Sequence, residues 1–235
     1  MSTPASSDVS LERAPDGEER VRVGRYSLFT RLNHWTLALS FVLLALSGMA
    51  LFYPTFFGLT VLFGGGQNTR WVHPIIGCVL LLAWLVMFLR YAHHNLPDGT
   101  DIAWLRNIGA VLRGNEDEVP EVGRYNAGQK LVFWAFGVLV PGLFLTGVVI
   151  WDQYFYDWTS IPQKRIAVLA HAVMAIGMIT VWITHAYAAV WVRGTIQAMT
   201  RGYVSGGWAF RHHRKWLRDL VSGRRTPAAP TTPAE

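Results

Sequence analysis

One cysteine, Cys78, stands in 235 residues, and it lies inside an apolar run. A disulfide within the chain is therefore impossible, and a cysteine-rich zinc or iron–sulfur centre is excluded. Charge is also scarce. Asp, Glu, Lys and Arg make up 15% of the chain, against about 25% in a soluble domain. No such residue occurs anywhere from Leu32 through Thr69 or from Ile166 through Val192. This is the composition of a membrane protein, and any metal held in it must rely on histidine. The net charge of +6 does not point to nucleic acid, because the basic residues flank apolar runs. They act as topology determinants.

What is there instead is four apolar stretches, at about residues 34–53, 72–89, 131–151 and 166–192. Each approaches the roughly 20 residues that a membrane helix needs. The fold class is all-α and integral to the membrane: a four-transmembrane-helix bundle occupying residues 25–220. Eighteen of the 21 basic residues fall in the N-terminal arm, the central loop and the C-terminal tail; Arg70, Lys164 and Arg165 fall in the other two loops. Both termini are accordingly expected in the cytoplasm, with the chain multi-pass in a cytoplasmic membrane. Residues 1–24 are polar, lack the apolar centre of a secretory signal and read as a flexible cytoplasmic arm. Residues 221–235 are rich in Pro and Ala and read as a disordered tail. Residues 101–113 carry Trp104, Leu105, Ile108 and Leu112 at helical spacing, which suggests an interfacial amphipathic helix. The segment 208–218 mixes bases with aromatics and suits a membrane surface or a partner.

Two histidines, His171 and His185, share the fourth span. Fourteen residues of helix separate them by about 21 Å along the axis and by about 40° around it. An ionisable side chain inside a span is costly and marks a candidate functional site. The charge bias then sorts four histidines by depth: His73 and His171 lie near the outer face, His34 and His185 near the inner one. Each level offers two imidazoles from different helices, which suits bis-histidine ligation of haem iron in a bundle core. His94 is a rival to His34 at the inner level, while His212 and His213 read as surface residues. Gly48, Gly77, Gly137, Gly142, Gly147 and Gly177 either make room for flat macrocycles or serve close helix packing. Arg31 and Arg70 lie where they could meet haem propionates.

A run of short motifs follows in order: Arg31-Leu-Asn-His34-Trp, Val72-His73-Pro-Ile-Ile-Gly77, Tyr91-Ala-His-His-Asn-Leu-Pro-Asp98, Arg124-Tyr-Asn-Ala-Gly-Gln-Lys130, Ala170-His171-Ala and His185-Ala-Tyr-Ala-Ala-Val-Trp-Val-Arg-Gly194. Over about residues 25–220 the chain resembles the cytochrome b (gamma) subunit of bacterial respiratory formate dehydrogenase. The resemblance implies two b-type haems, one on His73 and His171 and one on His34 and His185. It implies as partners an iron–sulfur (beta) subunit and a catalytic (alpha) subunit with a molybdenum or tungsten pterin. It further implies a quinone, menaquinone or ubiquinone, reduced beside His185 and the end of the central loop. Asn126, Gly128 and Gln129 match the quinone-site string. On chemistry alone that string is also a helix-entry cap; its amides can donate to quinone carbonyls. This chain alone is not expected to oxidise formate. Rival readings are the cytochrome b subunit of a nickel–iron hydrogenase, a histidine-based transporter and a plain membrane anchor.

Overall fold

The computed structural model describes residues 9–13, 19–115 and 118–223. The expected disordered tail lies mostly outside these residues. Among the described residues, four helices are long and apolar enough to cross a bilayer: α1 (Leu28–Phe52), α2 (Gly66–Tyr91), α5 (Ala127–Val149) and α7 (Ile161–Trp191). Between them lie the short helices α3 (Gly99–Arg106), α4 (Ile108–Leu112) and α6 (Asp152–Phe155). After them come α8 (Thr195–Thr200), α9 (Gly206–His212) and α10 (Arg214–Val221). The described residues also include three strands, β1 (Val9–Arg13), β2 (Glu19–Gly24) and β3 (Tyr203–Ser205).

The long helices begin four to six residues before the apolar runs do, and at α1, α5 and α7 polar side chains explain the difference. The Ser27 hydroxyl accepts from the Thr30 amide at 3.3 Å ahead of α1. Asn126 and Gln129 close a reciprocal box over the first turn of α5. At α7, Gln163 Oε1 accepts from the Ser160 amide at 2.8 Å. An apolar run measures what lipid tolerates; a cap marks where the backbone ladder starts. Between α1 and α2, Pro54–Phe63 form a 3-10 helix. Gly64 and Gly65, at φ 80° and 97°, turn it into α2 in a backbone region open to glycine.

The chain divides into two units. One contains residues 32–89 and 134–187, the central parts of the four long helices. Its core takes one buried residue from each: Phe41, Leu80, Val140 and Met178. Phe41 and Trp182 meet with ring centres 5.4 Å apart, and the Asn33 amide donates to the Ala83 carbonyl at 2.9 Å. Outward, Leu39, Leu82, Val138, Leu145, Val173 and Ile176 are exposed. Such a surface is unfavourable in water and suited to lipid, so this is an all-α membrane bundle.

The other unit contains the remaining described residues. Its antiparallel sheet has the order β1-β2-β3, with Val9 opposite Val23 and Val23 opposite Val204. Of the expected flexible arm, residues 9–13 and 19–24 are thus paired strands, and the rest lies outside the described residues. The alternation Arg-Val-Arg-Val in β2 is the cause: Val23 is fully buried, while Arg22 pairs with Glu12 and lies over the Tyr203 ring. Val23 and Val204 form a core with Ala198, Trp208, Ala209 and Trp216. The basic, aromatic segment 208–218 is therefore part of a folded core, and its tryptophans face inward. His213, expected at the surface, is 1% exposed. Its Nδ1 donates to the Gly123 carbonyl at 2.7 Å and its Nε2 lies 3.5 Å from an Arg25 Nη. The expected single helix over 101–113 breaks at Asn107, whose side chain donates back to the Ala103 carbonyl at 2.9 Å.

Candidate functional site

The four span histidines meet in two pairs. His73 on α2 faces His171 on α7, with ring centres 6.4 Å apart. His34 on α1 faces His185 on α7, at 6.2 Å. The pairing expected from depth is thus the pairing by contact. His94 packs instead against His93 and Tyr91, at 3.8 and 6.3 Å.

The spacing can be tested against ligation of one iron by two imidazoles. A nitrogen–metal distance of about 2 Å, with about 1.1 Å from ring centre to nitrogen, puts opposed ring centres roughly 6 Å apart. Both pairs have this spacing. Neither pair has an acidic or cysteine partner that would make a different metal site: among the described residues no three His, Cys, Asp or Glu cluster. Two axial ligands are what a haem iron asks of the protein, since the macrocycle supplies the rest.

Neighbouring atoms fit the same use. His73 Nδ1 lies 2.8 Å from the Ser47 hydroxyl of α1, and His171 Nδ1 lies 2.9 Å from the Thr146 hydroxyl of α5. The next residue is glycine in each case. A Cβ on Gly48 would stand 3.3 Å from His73 Cε1, and one on Gly147 would stand 3.5 Å from His171 Cε1. These two glycines clear space at the imidazoles. Gly142 and Gly137 instead admit Met174 and Phe88, so they serve packing. At the other pair, His34 Nδ1 is buried without a partner among the described residues. Arg31 gives one Nη to the Thr200 carbonyl at 2.5 Å.

The string before α5 has a clear structural duty. Asn126 Oδ1 accepts from the Gln129 amide at 2.9 Å, and Gln129 Oε1 accepts from the Asn126 amide at 3.0 Å. That box uses the two side-chain oxygens and leaves both NH2 groups as donors. Gly128 sits under Trp104, whose ring would be 3.2 Å from a Cβ there. Next to the string, Lys130 bonds Asp98 and Asp101, both at 2.9 Å. The Thr100 hydroxyl bond, aided by Lys130, holds the Asp98 carboxyl down at about 2. Arg124 and Arg25 exchange guanidinium bonds with each other's carbonyls, at 2.6 and 2.8 Å.

Ser47 and Thr146 were not anticipated. The available signal is a polar residue followed by glycine inside an uncharged span, Leu46-Ser47-Gly48 and Leu145-Thr146-Gly147. Each hydroxyl reads as an ordinary helix back-bond until the facing histidine is placed.

The sequence is also similar to that of known proteins. A family model described as prokaryotic cytochrome b561 matches residues 25–202. The chain is 43% identical over 196 residues to the cytochrome b556(Fdn) subunit of the nitrate-inducible formate dehydrogenase of Escherichia coli strain K12, covering 83% of this chain and 90% of that one. It is 41% identical over 203 residues to the cytochrome b556(fdo) subunit of the same organism's formate dehydrogenase, covering 86% and 95%. Identity to the formate dehydrogenase cytochrome b556 subunit of Haemophilus influenzae is 38% over 200 residues, covering 85% and 84%. With four apolar helices and two cross-helix histidine pairs, the chain belongs to the prokaryotic cytochrome b561 family, as a membrane cytochrome b subunit of the formate dehydrogenase type.

Proposed function

We propose that this subunit holds two b-type haems, one between His73 and His171 and one between His34 and His185, and passes electrons from an iron–sulfur subunit to a quinone. The observation that carries the proposal is the matched pair of ring separations, 6.4 and 6.2 Å, each between different helices. Haem iron supplies a one-electron carrier at each level. The chain's own part is to present two opposed nitrogen lone pairs per level, from half-buried histidines within the bundle. His171 and His185, both on α7, make that helix common to both levels.

The relatives are named as subunits of formate dehydrogenases; the partners proposed from the family resemblance are a catalytic pterin-metal subunit that oxidises formate and an iron–sulfur subunit that relays its electrons. The excess of basic residues in the arm, central loop and tail supports cytoplasmic termini in a bacterial inner membrane. The His73–His171 level then lies outside and receives electrons, and the His34–His185 level lies inside. Asn126 and Gln129 offer amide donors for the quinone carbonyls, menaquinone or ubiquinone, and Gly128 shapes the turn between them. Protons taken from the cytoplasm while formate is oxidised outside build a membrane potential.

The test is a reduced-minus-oxidised spectrum with a haem count on the purified complex. Two b haems per chain are expected, falling to one in His171→Ala and in His34→Ala. Absence of a b-type band, or two haems retained in either variant, overturns the ligand assignment. Molybdenum or tungsten in the co-purified large subunit supports the formate dehydrogenase assembly; nickel would refute it.

A further inference from the structure

The two histidine pairs are not built alike. Ser47 Oγ lies 2.8 Å from His73 Nδ1 and also 2.7 Å from the Leu43 carbonyl oxygen. Thr146 Oγ1 lies 2.9 Å from His171 Nδ1 and 2.8 Å from the Gly142 carbonyl oxygen. A hydroxyl has one proton. The carbonyl, which only accepts, takes it in each case, so the hydroxyl oxygen accepts from Nδ1–H. The proton of each imidazole is thereby fixed on Nδ1 and the lone pair on Nε2. The arrangement repeats on two different helix pairs: α1 holds the histidine of α2, and α5 holds that of α7. His34 has no such holder, since its Nδ1 is buried and unpartnered among the described residues.

We propose that Ser47 and Thr146 are positioning residues that lock the tautomer and orientation of His73 and His171 and lower the reduction potential of the haem held there. This rests on the haem reading above. The physical cause is the chain Nδ1–H to hydroxyl to carbonyl. A hydrogen bond from Nδ1–H places more electron density on the ligating Nε2, and a more basic ligand favours the ferric state. Two such bonds act on one iron and neither acts through His34 on the other. The protein thus separates the two potentials with side chains that touch no cofactor iron, making passage from the His73–His171 level to the His34–His185 level downhill.

The experiment is a spectroscopic redox titration of the purified complex carrying Ser47→Ala, Thr146→Ala, Ser47→Thr or Thr146→Ser. The haem of each level is identified by the wave that His73→Ala or His34→Ala abolishes. The expected result is an upward shift of the His73–His171 wave in both alanine variants, larger in the double variant, with the other wave unmoved. The two hydroxyl-conserving variants restore the original potential. Loss of that one haem in Ser47→Ala, with its retention in Ser47→Thr, also supports the positioning role. Two haems at unchanged potentials, or a shift confined to the His34–His185 wave, overturns the proposal. A wild-type complex with no b-type band would instead sink the haem reading itself, so the two failures are distinct.

Discussion

Replacing His213 tests the least expected part of the structure, the folded unit made from the chain's arm, loop and tail. The ring lies between Trp208 and Trp216, at 5.1 and 6.3 Å between centres, and is 1% exposed. Removing it in His213→Ala strands the Gly123 carbonyl and takes an acceptor from Arg25, whose side chain is itself buried. An unpaired buried group costs about 1–3 kcal/mol, and the lost packing adds to it; about 3 kcal/mol in all corresponds to roughly a hundredfold change in an equilibrium. The assay is limited proteolysis in detergent, reading trypsin cleavage after Arg214 and Lys215, whose rate follows the population of the locally opened form. His213→Gln keeps a donor and an acceptor and should cleave far more slowly than His213→Ala. A pH arm adds a sign. Burial, then Arg25, holds the imidazole well below its usual value, so it is neutral in the folded unit. A depressed folded value means that stability is complete above the unfolded value of about 6.5 and is lost as pH falls below it. At pH 5.5 the loss is about 1.4 kcal/mol, or tenfold in opening. The wild type, compared with His213→Gln, should therefore open more readily at pH 5.5 than at pH 7.5. Equal cleavage of wild type and His213→Ala, or no pH dependence of that comparison, would refute the reasoning.

Other outcomes follow from the spans. Gly147→Val should displace the His171 ring, because a Cβ there is already in van der Waals contact with Cε1 at 3.5 Å and leaves no room for the methyls beyond it; the haem count should fall from two to one, and an unchanged count would show that the ring can yield. Gly48→Val should do the same at His73. Gln129→Glu retains an oxygen able to close the box with Asn126 but has no amide donor. It should leave helix content and haem content intact and lower quinone reduction by about tenfold; full activity would remove Gln129 from the quinone site. Gln129→Ala loses the cap as well, at a cost of about 1 kcal/mol, and should show both defects.

The sequence by itself determined the four membrane helices, because a bilayer accepts only a long uncharged run whose backbone is satisfied internally. It also determined which histidines pair. Charge bias and helix rise reduce depth to one dimension, and only His34, His73, His171 and His185 remain inside the spans. Helix starts were less accessible, although Ser27, Asn126 and Ser160 carried the signal, because a cap is a local bond that hydropathy does not register. Only the tertiary structure decided the rest. The valine alternation in residues 19–24 becomes a strand because β1 and β3 pair with it, and His213 is buried because Arg25 and Gly123 come to it from distant parts of the chain. Likewise, Ser47 and Thr146 look like back-bonded helix residues until another helix brings an imidazole within 2.9 Å. Such contacts join residues far apart in sequence at distances of a hydrogen bond, and no periodicity within one segment encodes them.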